Sequence, residues 1–351
     1  MNVHQVLSGA GPYDAVTTQA LAFRDLFRGW GWGGRDVAAE IDPRIGDRIA
    51  PLRTLGAGGI RSDDVLLVHY SAYAPKLRSV LALPQRKLLI SHNITPARWF
   101  WDHDPQAAVV CALGRKQLPE FAAAADVAAG VSRYNAQEFG SDTVIPILFD
   151  PAGLGAPLAA GDPARWTVPA QPTILFVGRL APHKRQDAVI RAFELYRRRH
   201  APDARLVLVG APINWAYDAA MRELAEALSP GRVTIESGLT REQLADRWRA
   251  AHAFVCLSEH EGFCIPLLEA FHFGIPVIAR AIGGVPEVAC DAALLLDDDD
   301  DESVVAELLA LAVADGELRA SLRARGDARV AAYSPQQTAQ TLRGALQSLA
   351  A

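Results

Sequence analysis

Short runs of valine, isoleucine and leucine alternate along this chain with longer segments in which apolar residues recur every three or four positions. The short runs are typical of buried parallel strands, and the longer segments are typical of the helices that connect them. This alternation predicts an α/β fold. The predicted strands lie at 3–7, 65–69, 87–91, 127–131 and 143–147 in the first half of the chain and at 173–177, 205–209, 233–236, 254–257, 277–279 and 293–296 in the second.

A stretch rich in proline and glycine separates the two sets of strands. Residues 149–172 have no apolar periodicity, which is typical of a linker. The chain has 351 residues, enough for two domains. We expect two Rossmann-like, doubly wound domains that face a cleft, at 1–150 and 171–331, with 151–170 as the linker. The apolar spacing after Pro335 predicts a final helix at 335–351.

Charge and composition exclude several classes of protein. The 35 Lys and Arg residues against 40 Asp and Glu residues give a net charge of −5, which argues against a nucleic-acid-binding protein. No run of about 18 apolar residues predicts a membrane span, although peripheral contact with the inner membrane face would leave no such trace. The N-terminus does not resemble a signal peptide, and the four cysteines show no CxxC spacing. A cytoplasmic location is therefore expected.

The loop after the strand at 173–177 carries two permanent positive charges. Gly178 and Arg179 follow this strand directly, and Lys184 comes at the start of the next helix. Ligands of doubly wound sheets bind beyond the carboxyl ends of the strands. A guanidinium, an ammonium and a helix N-terminus at this place suit a doubly charged phosphate group. The alternative is that Arg179 and Lys184 are solvated surface charges.

The loop after the strand at 254–257 mixes carboxylates with exposed backbone amides. Pro266 and Gly274 predict a helix at 266–273, so that Glu261 lies in the loop and Glu269 about one turn inside the helix. The amides at 262–264 would point at an anion, and the carboxylates would accept hydrogen bonds from sugar hydroxyls. The loop therefore suits a ligand that has a phosphate and a polyol part. The alternative for Glu269 is stabilisation of the first helical turn by the helix dipole.

Two loops of the first half offer weaker signals. Gly9-Ala10-Gly11 follows the first strand, although two glycines are more often a plain turn, and Thr17 and Thr18 are placed to cap the next helix. His92 ends the strand at 87–91 and is followed by Asn-Ile-Thr-Pro. A lone histidine is more often structural than functional, but this one is placed to approach a bound ligand.

Metal and cofactor motifs are missing from the sequence. Asp102-His103-Asp104 and the five aspartates at 297–301 could attract a hard cation, but the first precedes a proline and the second lies in a predicted surface turn. We therefore predict no metal site and no cofactor. There is also no P-loop, HExxH or GxSxG motif, and the loop after the first strand lacks a complete GxGxxG, so nicotinamide-dependent and serine-hydrolase functions have no motif behind them.

Together, these loops resemble those of the retaining glycosyltransferases of the GT-B fold, in particular glycosyltransferase family four. Gly178-Arg179-Leu180 with Lys184 is similar to the diphosphate-binding segment of that family, and Glu261 to Glu269 reproduces its E-x7-E signature. The segments 274–278 and 283–287 are similar to those that usually follow. The resemblance covers about residues 171–331. The first half is similar more loosely, through the His-Asn-Ile-Thr-Pro loop of bacterial polysaccharide and O-antigen transferases.

The resemblance implies transfer of a hexose from a nucleotide-diphosphate sugar, GDP-mannose or a UDP-hexose, to a glycan or lipid-linked glycan. The second domain would bind the donor and the first the acceptor, and the final helix would cross back to the first. Catalytic roles are implied for His92 near the anomeric centre, Arg179 and Lys184 on the diphosphate, and Glu261 on the donor sugar, with Glu269 on the ribose. The other residues expected to line the nucleotide-sugar site are Gly11, Gly178, Leu239, Gly262, Phe263, Cys264 and Ile265.

One departure from the family pattern is Cys264, which stands where the family usually has glycine, close to the donor. Its side chain would either narrow the choice of donor or point away. The reaction itself mainly requires stabilisation of the departing diphosphate, which cationic side chains and helix-end amides supply without a metal.

Two other functions remain open at this stage. One is a nucleotide-sugar epimerase or phosphorylase of the same fold, and the other is a non-catalytic protein that binds glycans or nucleotide sugars. The aromatic residues of the first half would either stack on sugars, touch a lipid carrier or be buried. They are Trp30, Trp32, Trp99, Phe100 and Trp101.

Overall fold

The computed structural model describes residues 1–12, 14–56, 60–157, 169–297 and 300–350. The chain forms two compact units. The first unit consists of Met1–Trp101, Pro105–Leu148 and Ser334–Ala351, and the second of Asp102–Asp104 and Phe149–Tyr333. Most of the predicted linker, at 158–168, lies outside the described residues.

The first unit contains a parallel sheet of six strands in the order β3-β2-β1-β4-β5-β6. Every residue of its two central strands is buried, as the near-continuous apolar runs predict for strands covered on both faces. The strands are β1 (Val3–Leu7), β2 (Asp36–Ala38), β3 (Ala50–Pro51), β4 (Val65–Tyr70), β5 (Arg86–Ser91) and β6 (Val127–Gly130).

Five α-helices belong to the described part of this unit. They are α1 (Ala15–Gly29), α2 (Arg78–Leu81), α3 (Pro105–Ala124), α4 (Arg133–Gln137) and α12 (Pro335–Ala350). The prediction that Thr17 or Thr18 caps the first helix is wrong. Asp14 is the N-cap residue, and its carboxylate accepts a hydrogen bond from the Thr17 amide at 2.8 Å. Helix α12 contacts β4 and β5, and Leu342 and Leu346 are fully buried.

The second unit repeats the same strand order in a second parallel sheet, β12-β11-β10-β7-β8-β9. Its strands are β7 (Thr173–Val177), β8 (Arg205–Val209), β9 (Val233–Glu236), β10 (Ala253–Cys256), β11 (Val277–Arg280) and β12 (Leu294–Leu296). Its helices are α5 (Gln186–Arg199), α6 (Trp215–Leu228), α7 (Arg241–Ala250), α8 (Ile265–His272), α9 (Val285–Ala289), α10 (Glu302–Ala314) and α11 (Gly316–Ala332). The apolar stripe predicted for α5 is buried in the core. The predicted α/β class is therefore confirmed.

The structure differs from the sequence prediction at three strands. The predicted strand at 143–147 does not form, and Val144 makes only an isolated bridge to Gly130. This segment contains Pro146, which has no amide proton for a ladder hydrogen bond. The strands β2 and β3 were missed because three and two residues are too few to show a period.

Both sheets reverse their strand order at one place, between β1 and β4 in the first and between β7 and β10 in the second. Ligands of doubly wound sheets bind beyond the carboxyl ends of the strands at such a switch point. The topology therefore brings the loops after β7 and β10 side by side. Within the described part of the chain, no helix is both long enough and apolar enough to cross a membrane.

Candidate functional site

The loop after β7 is held in one conformation by the neighbouring loop after β8. The Gly178 amide donates to the Val209 carbonyl at 2.9 Å, and Leu180 is fully buried. A Cβ atom at Gly210 would lie 1.8 Å from the Gly178 carbonyl oxygen, so only glycine permits this approach. Between these anchors the Arg179 side chain is exposed. It has no ion-pair partner among the residues that the structure describes.

Lys184 and Glu261 meet at the switch point, although 77 residues separate them. The Lys184 Nζ atom donates to Glu261 Oε1 at 2.5 Å, and the two side chains are 19% and 7% exposed. Burial is the largest single effect and opposes the charge of the Lys184 ammonium, but Glu261, Cys264 and Cys256 together outweigh it and raise the pKa of Lys184. Lys184 is therefore a cation inside the site, ready to face a second anion.

Two glycines after β11 fix the backbone at Glu261. The Gly284 amide donates to the Glu261 carbonyl at 3.0 Å. Gly283 has a φ of +58°, and a Cβ atom there would lie 2.1 Å from the same carbonyl oxygen. The sequence indicated a role for the segment 283–287 only through its resemblance to the family. In the structure, the backbone of this segment closely approaches the backbone at Glu261.

The helix after β10 begins one residue earlier than predicted. It spans Ile265–His272 rather than 266–273, and Pro266 is its second residue. Cys264 forms the N-cap with a φ of +71°, in the left-handed region that favours glycine. Its side chain is buried, with Sγ 3.7 Å from Cys256 Sγ. The added side chain thus packs against β10.

The remaining residues of this loop differ in burial and in their contacts. Gly262 and Phe263 are buried, and the Phe263 ring packs edge-on against Tyr333 at 5.3 Å, which leaves its backbone to reach a ligand. Ile265 is half-buried at the start of α8. The Glu259 amide donates to the His183 carbonyl at 2.8 Å, so the loops after β7 and β10 are also tied together directly.

Glu269 lies beyond the first turn of α8, so the helix dipole does not explain it. Burial raises the pKa of its carboxyl group to about 7, and the nearby polar indole group of Trp248 opposes the rise only in part. The carboxyl group is therefore half-protonated near neutral pH. A perturbed carboxyl group at a switch point marks a functional position.

The basic residues around Lys184 are in different states. Burial, and then the nearby Lys184 charge, lowers the pKa of His183 to about 2, so His183 is neutral. Arg185 has a φ of +51° and is paired with Asp187 and Glu259. Arg179 is exposed and Lys184 has Glu261 as its ion-pair partner, so the role of these two cations toward a ligand stays a prediction.

Leu239 follows the edge strand β9 and is half-buried just before α7. It lies two strands away from β7 at the same edge of the sheet. Leu239 is therefore further from Lys184 than the residues described above. Only a ligand that extends along this edge of the sheet would reach it.

Gly11 and His92 belong to the first unit, unlike the other predicted site residues. The Gly11 amide donates to Thr17 Oγ1 at 3.0 Å, within the cap of α1. This hydrogen bond explains the glycine-containing loop as local structure.

His92 ends a chain of buried hydrogen bonds. Its Nε2 atom lies 2.9 Å from His69 Nδ1, and His69 Nε2 lies 3.0 Å from Gln5 Oε1. The Gln5 amide nitrogen donates to Ala20 and Asp36, so its oxygen must accept from His69. His69 Nδ1 then accepts from His92 Nε2, which leaves Nδ1 of His92 as an acceptor for a ligand. Burial lowers the pKa of His92 to about 3, so His92 is neutral.

The aromatic residues of the first half divide into two groups. Trp30 and Trp32 contact each other and Arg343, and Trp32 precedes a bridge between Gly33 and Asn2 at the amino edge of the sheet. They lie at the edge opposite the ligand loops. Trp101 follows β5 at the carboxyl edge and is 49% exposed.

Sequence reasoning missed a cluster of three potential metal ligands. Cys256, Glu261 and Cys264 each bring one ligand atom within 4.8 Å of the others, and all three residues are buried. The CxxC motif does not describe this cluster, because its spacing is Cys-x4-Glu-x2-Cys and one of its ligands is a carboxylate.

Comparison with known proteins finds a family match in the second unit. Residues 164–329 match the family model described as glycosyl transferases group 1. A D-inositol 3-phosphate glycosyltransferase of Mycobacteroides abscessus is 37% identical over 121 residues, 34% of this chain and 26% of the relative. A GDP-mannose-dependent alpha-(1-6)-phosphatidylinositol monomannoside mannosyltransferase of Mycolicibacterium smegmatis is 32% identical over 186 residues, 48% of this chain and 47% of the relative.

These matches span between about a quarter and a half of the length of the two relatives. The solved structure of a sucrose-phosphate synthase from Thermosynechococcus elongatus superposes with a TM-score of 0.75 at 19% identity, and covers 99% of this chain and 98% of that one. Residues 164–329 are therefore similar to the group 1 glycosyl transferases, and the chain as a whole has the GT-B fold.

Proposed function

We propose that this protein is a retaining glycosyltransferase, of family four, that moves a hexose from a nucleotide-diphosphate sugar to a glycan or lipid-linked glycan. The observation that carries the proposal is the meeting of Lys184 and Glu261 at the switch point of the second sheet, with the exposed Arg179 in the same loop as Lys184. Two cations and a carboxylate at this place suit a ligand with a diphosphate at one end and hydroxyl groups at the other.

The leaving diphosphate is the group that needs most stabilisation. Lys184, Arg179 and the N-terminal amides of α8 would contact its oxygens as negative charge develops there. Lys184 is partly desolvated, which strengthens its attraction for a phosphate oxygen. These groups are sufficient for the departure of the diphosphate without a metal, so the proposed transfer is metal-independent.

In the proposed reaction the acceptor attacks from the face that the diphosphate leaves. The acceptor hydroxyl oxygen forms a bond to the anomeric carbon, and the bond from that carbon to the diphosphate oxygen breaks with its electron pair going to the diphosphate. The hydroxyl proton goes to a phosphate oxygen. Glu261 would accept hydrogen bonds from the donor sugar and Glu269 from the ribose, while His92 Nδ1 would accept one from a hydroxyl near the anomeric carbon.

The donor that we propose is GDP-mannose, with a UDP-hexose as the next candidate. The similarity to the Mycolicibacterium smegmatis relative, a GDP-mannose-dependent mannosyltransferase, supports this choice. The first unit would bind the acceptor, and the exposed Trp101 offers a face for a sugar ring. The four cysteines are free thiols, which fits a reaction in the cytoplasm, with or without contact with the membrane face.

The test is a donor screen with the purified protein. GDP-, UDP- and dTDP-sugars are offered with and without EDTA and with a set of glycan acceptors, and nucleotide release, product mass and the anomeric configuration of the product are measured. We expect EDTA-insensitive transfer with retention from one donor. Donor turnover without an acceptor-dependent product would contradict the proposal in favour of an epimerase or phosphorylase. Binding of no donor would contradict it altogether.

A further inference from the structure

Two thiols and a carboxylate form a compact cluster behind the loop after β10. Cys256 ends β10, Glu261 lies in the loop and Cys264 caps α8. The Cys256 Sγ atom is 3.7 Å from Cys264 Sγ and 3.8 Å from Glu261 Oε1. These residues are 3%, 6% and 7% exposed for Cys256, Glu261 and Cys264. Because each is fixed by a different part of the fold, the three ligand atoms are held together before any ligand arrives.

The distances match one face of a tetrahedral zinc site. Zinc–sulfur bonds of about 2.3 Å at the tetrahedral angle place two sulfurs about 3.8 Å apart, and a carboxylate oxygen at about 2.1 Å from the metal would lie about 3.6 Å from each sulfur. The two sulfurs are 3.7 Å apart, Cys256 Sγ is 3.8 Å from Glu261 Oε1, and Cys264 Sγ lies within 4.8 Å of a Glu261 carboxylate oxygen. An ion would therefore need little movement of these side chains.

The charge of the cluster also suits a divalent cation. Lys184 Nζ lies 2.5 Å from Glu261 Oε1, so the ligand-free cluster contains one ammonium, one carboxylate and two neutral thiols. A divalent cation that displaces both thiol protons leaves the net charge of the group at zero. This matters because unbalanced charge is costly in a buried site.

The identity of the side chains indicates which cation would bind. Thiolates are the ligands that zinc and other soft cations prefer, whereas Mg²⁺ and Ca²⁺ prefer oxygen.

We propose that Cys256, Glu261 and Cys264 form a binding site for a thiophilic divalent cation such as Zn²⁺. Three protein ligands leave the fourth position of a tetrahedron open to water or to an anion oxygen, as in exchangeable zinc sites. Ser258 Oγ lies beside the cluster, 3.3 Å from Cys256 Sγ. If the proposed transferase function is right, the cation and the donor sugar share Glu261, and zinc would compete with the donor.

The binding itself is tested without any donor. The reduced, metal-free protein is titrated with Co²⁺, and the absorption spectrum is recorded. We expect one equivalent to bind with a thiolate-to-cobalt charge-transfer band and the visible bands of a tetrahedral ion, and one equivalent of Zn²⁺ to displace it. Calorimetry in buffers of different ionisation enthalpy should show release of about two protons per ion.

Two variants test the thiolate ligands, and a third variant is the control. Cys256→Ala and Cys264→Gly should each abolish the charge-transfer pattern of a two-thiolate site and weaken binding at least about 100-fold. The left-handed backbone at Cys264 suits glycine, so Cys264→Gly should fold, and circular dichroism checks both variants. Cys290→Ser removes an exposed thiol of the same unit and should leave binding unchanged.

The proposal is overturned if Co²⁺ binds without a thiolate band, if the band persists in Cys256→Ala, or if it is lost in Cys290→Ser. It stands or falls separately from the proposed function. Cobalt binding with no donor binding would retain the metal site and remove the transferase, and donor binding with no cobalt binding would do the reverse.

Discussion

The two units of this chain contain sheets with the same strand order but opposite chemistry at their switch points. In the first, Gln5, His69 and His92 form a chain of neutral, mutually satisfied hydrogen bonds. In the second, Lys184 forms an ion pair with the buried carboxylate of Glu261, and the Arg179 side chain is exposed. The shared topology decides where a ligand can bind, and the side chains of the loops decide what binds there.

The largest expected effect comes from removing a cation of the second switch point. Arg179→Ala should lower kcat about 100- to 1000-fold, the range seen when one group that stabilises a developing anion is lost. Because Arg179 is exposed, the melting temperature should stay unchanged. The matched control is Arg222→Ala, an exposed arginine of α6 in the same unit. Equal rates for the two variants would show that Arg179 does not face the diphosphate.

The second prediction concerns the backbone that holds Glu261. Gly283→Ala would place a Cβ atom 2.1 Å from the Glu261 carbonyl at a φ of +58°. We expect it to lower the free energy of unfolding by about 3–4 kcal/mol, from the left-handed conformation and the clash together. Gly231→Ala has a similar φ of +67° but open space around its Cβ position, and should cost only about 1 kcal/mol. Urea denaturation measures both, and similar losses would show that the contact with Glu261 yields easily.

These contacts mark the limit of what the sequence could predict. The central strands were predictable because nearly every residue in them is apolar, and Arg179, Lys184 and Glu261 because they directly follow such strands. That Lys184 meets Glu261 follows only from the pairing of β7 with β10. The contact of Cys256 with Cys264 depends on a left-handed residue at the start of α8, which no apolar pattern reveals. The segment around Pro146 shows the opposite error. Its apolar run predicts a strand, but proline has no amide proton to donate to the sheet, and the strand does not form.

The third prediction uses the raised pKa of Glu269. The folded protein holds this proton up to about pH 7, whereas an unfolded glutamic acid releases it near its usual value of 4.5. The folded state therefore binds more protons between these values, and Glu269 makes stability fall as the pH rises from 4.5 through 7. Glu269→Gln should remove this loss. It should be about 3 kcal/mol more stable than the parent at pH 8 and nearly equal to it at pH 4.5.

Urea denaturation at the two pH values measures this difference. Glu223→Gln, at an exposed position of α6, is the control and should match the parent at both. An equal effect of Glu269→Gln at pH 4.5 and pH 8 would show that the carboxyl group does not titrate in this range.

The smallest expected effect is at the switch point of the first unit, where we predict no titration. Burial holds the pKa of His92 at about 3 and that of His69 well below its usual value, so both rings should stay neutral from pH 8 to pH 5. Nitrogen NMR of the rings should show a proton on Nε2 of each, as the hydrogen bonds to Gln5 and His69 require. Gln5→Leu removes the acceptor of His69 and should change the ring shifts of both histidines. A titration of His92 near neutral pH would mean that the first switch point is charged like the second, and that the contrast between the two units lies in their ligands rather than in their protonation.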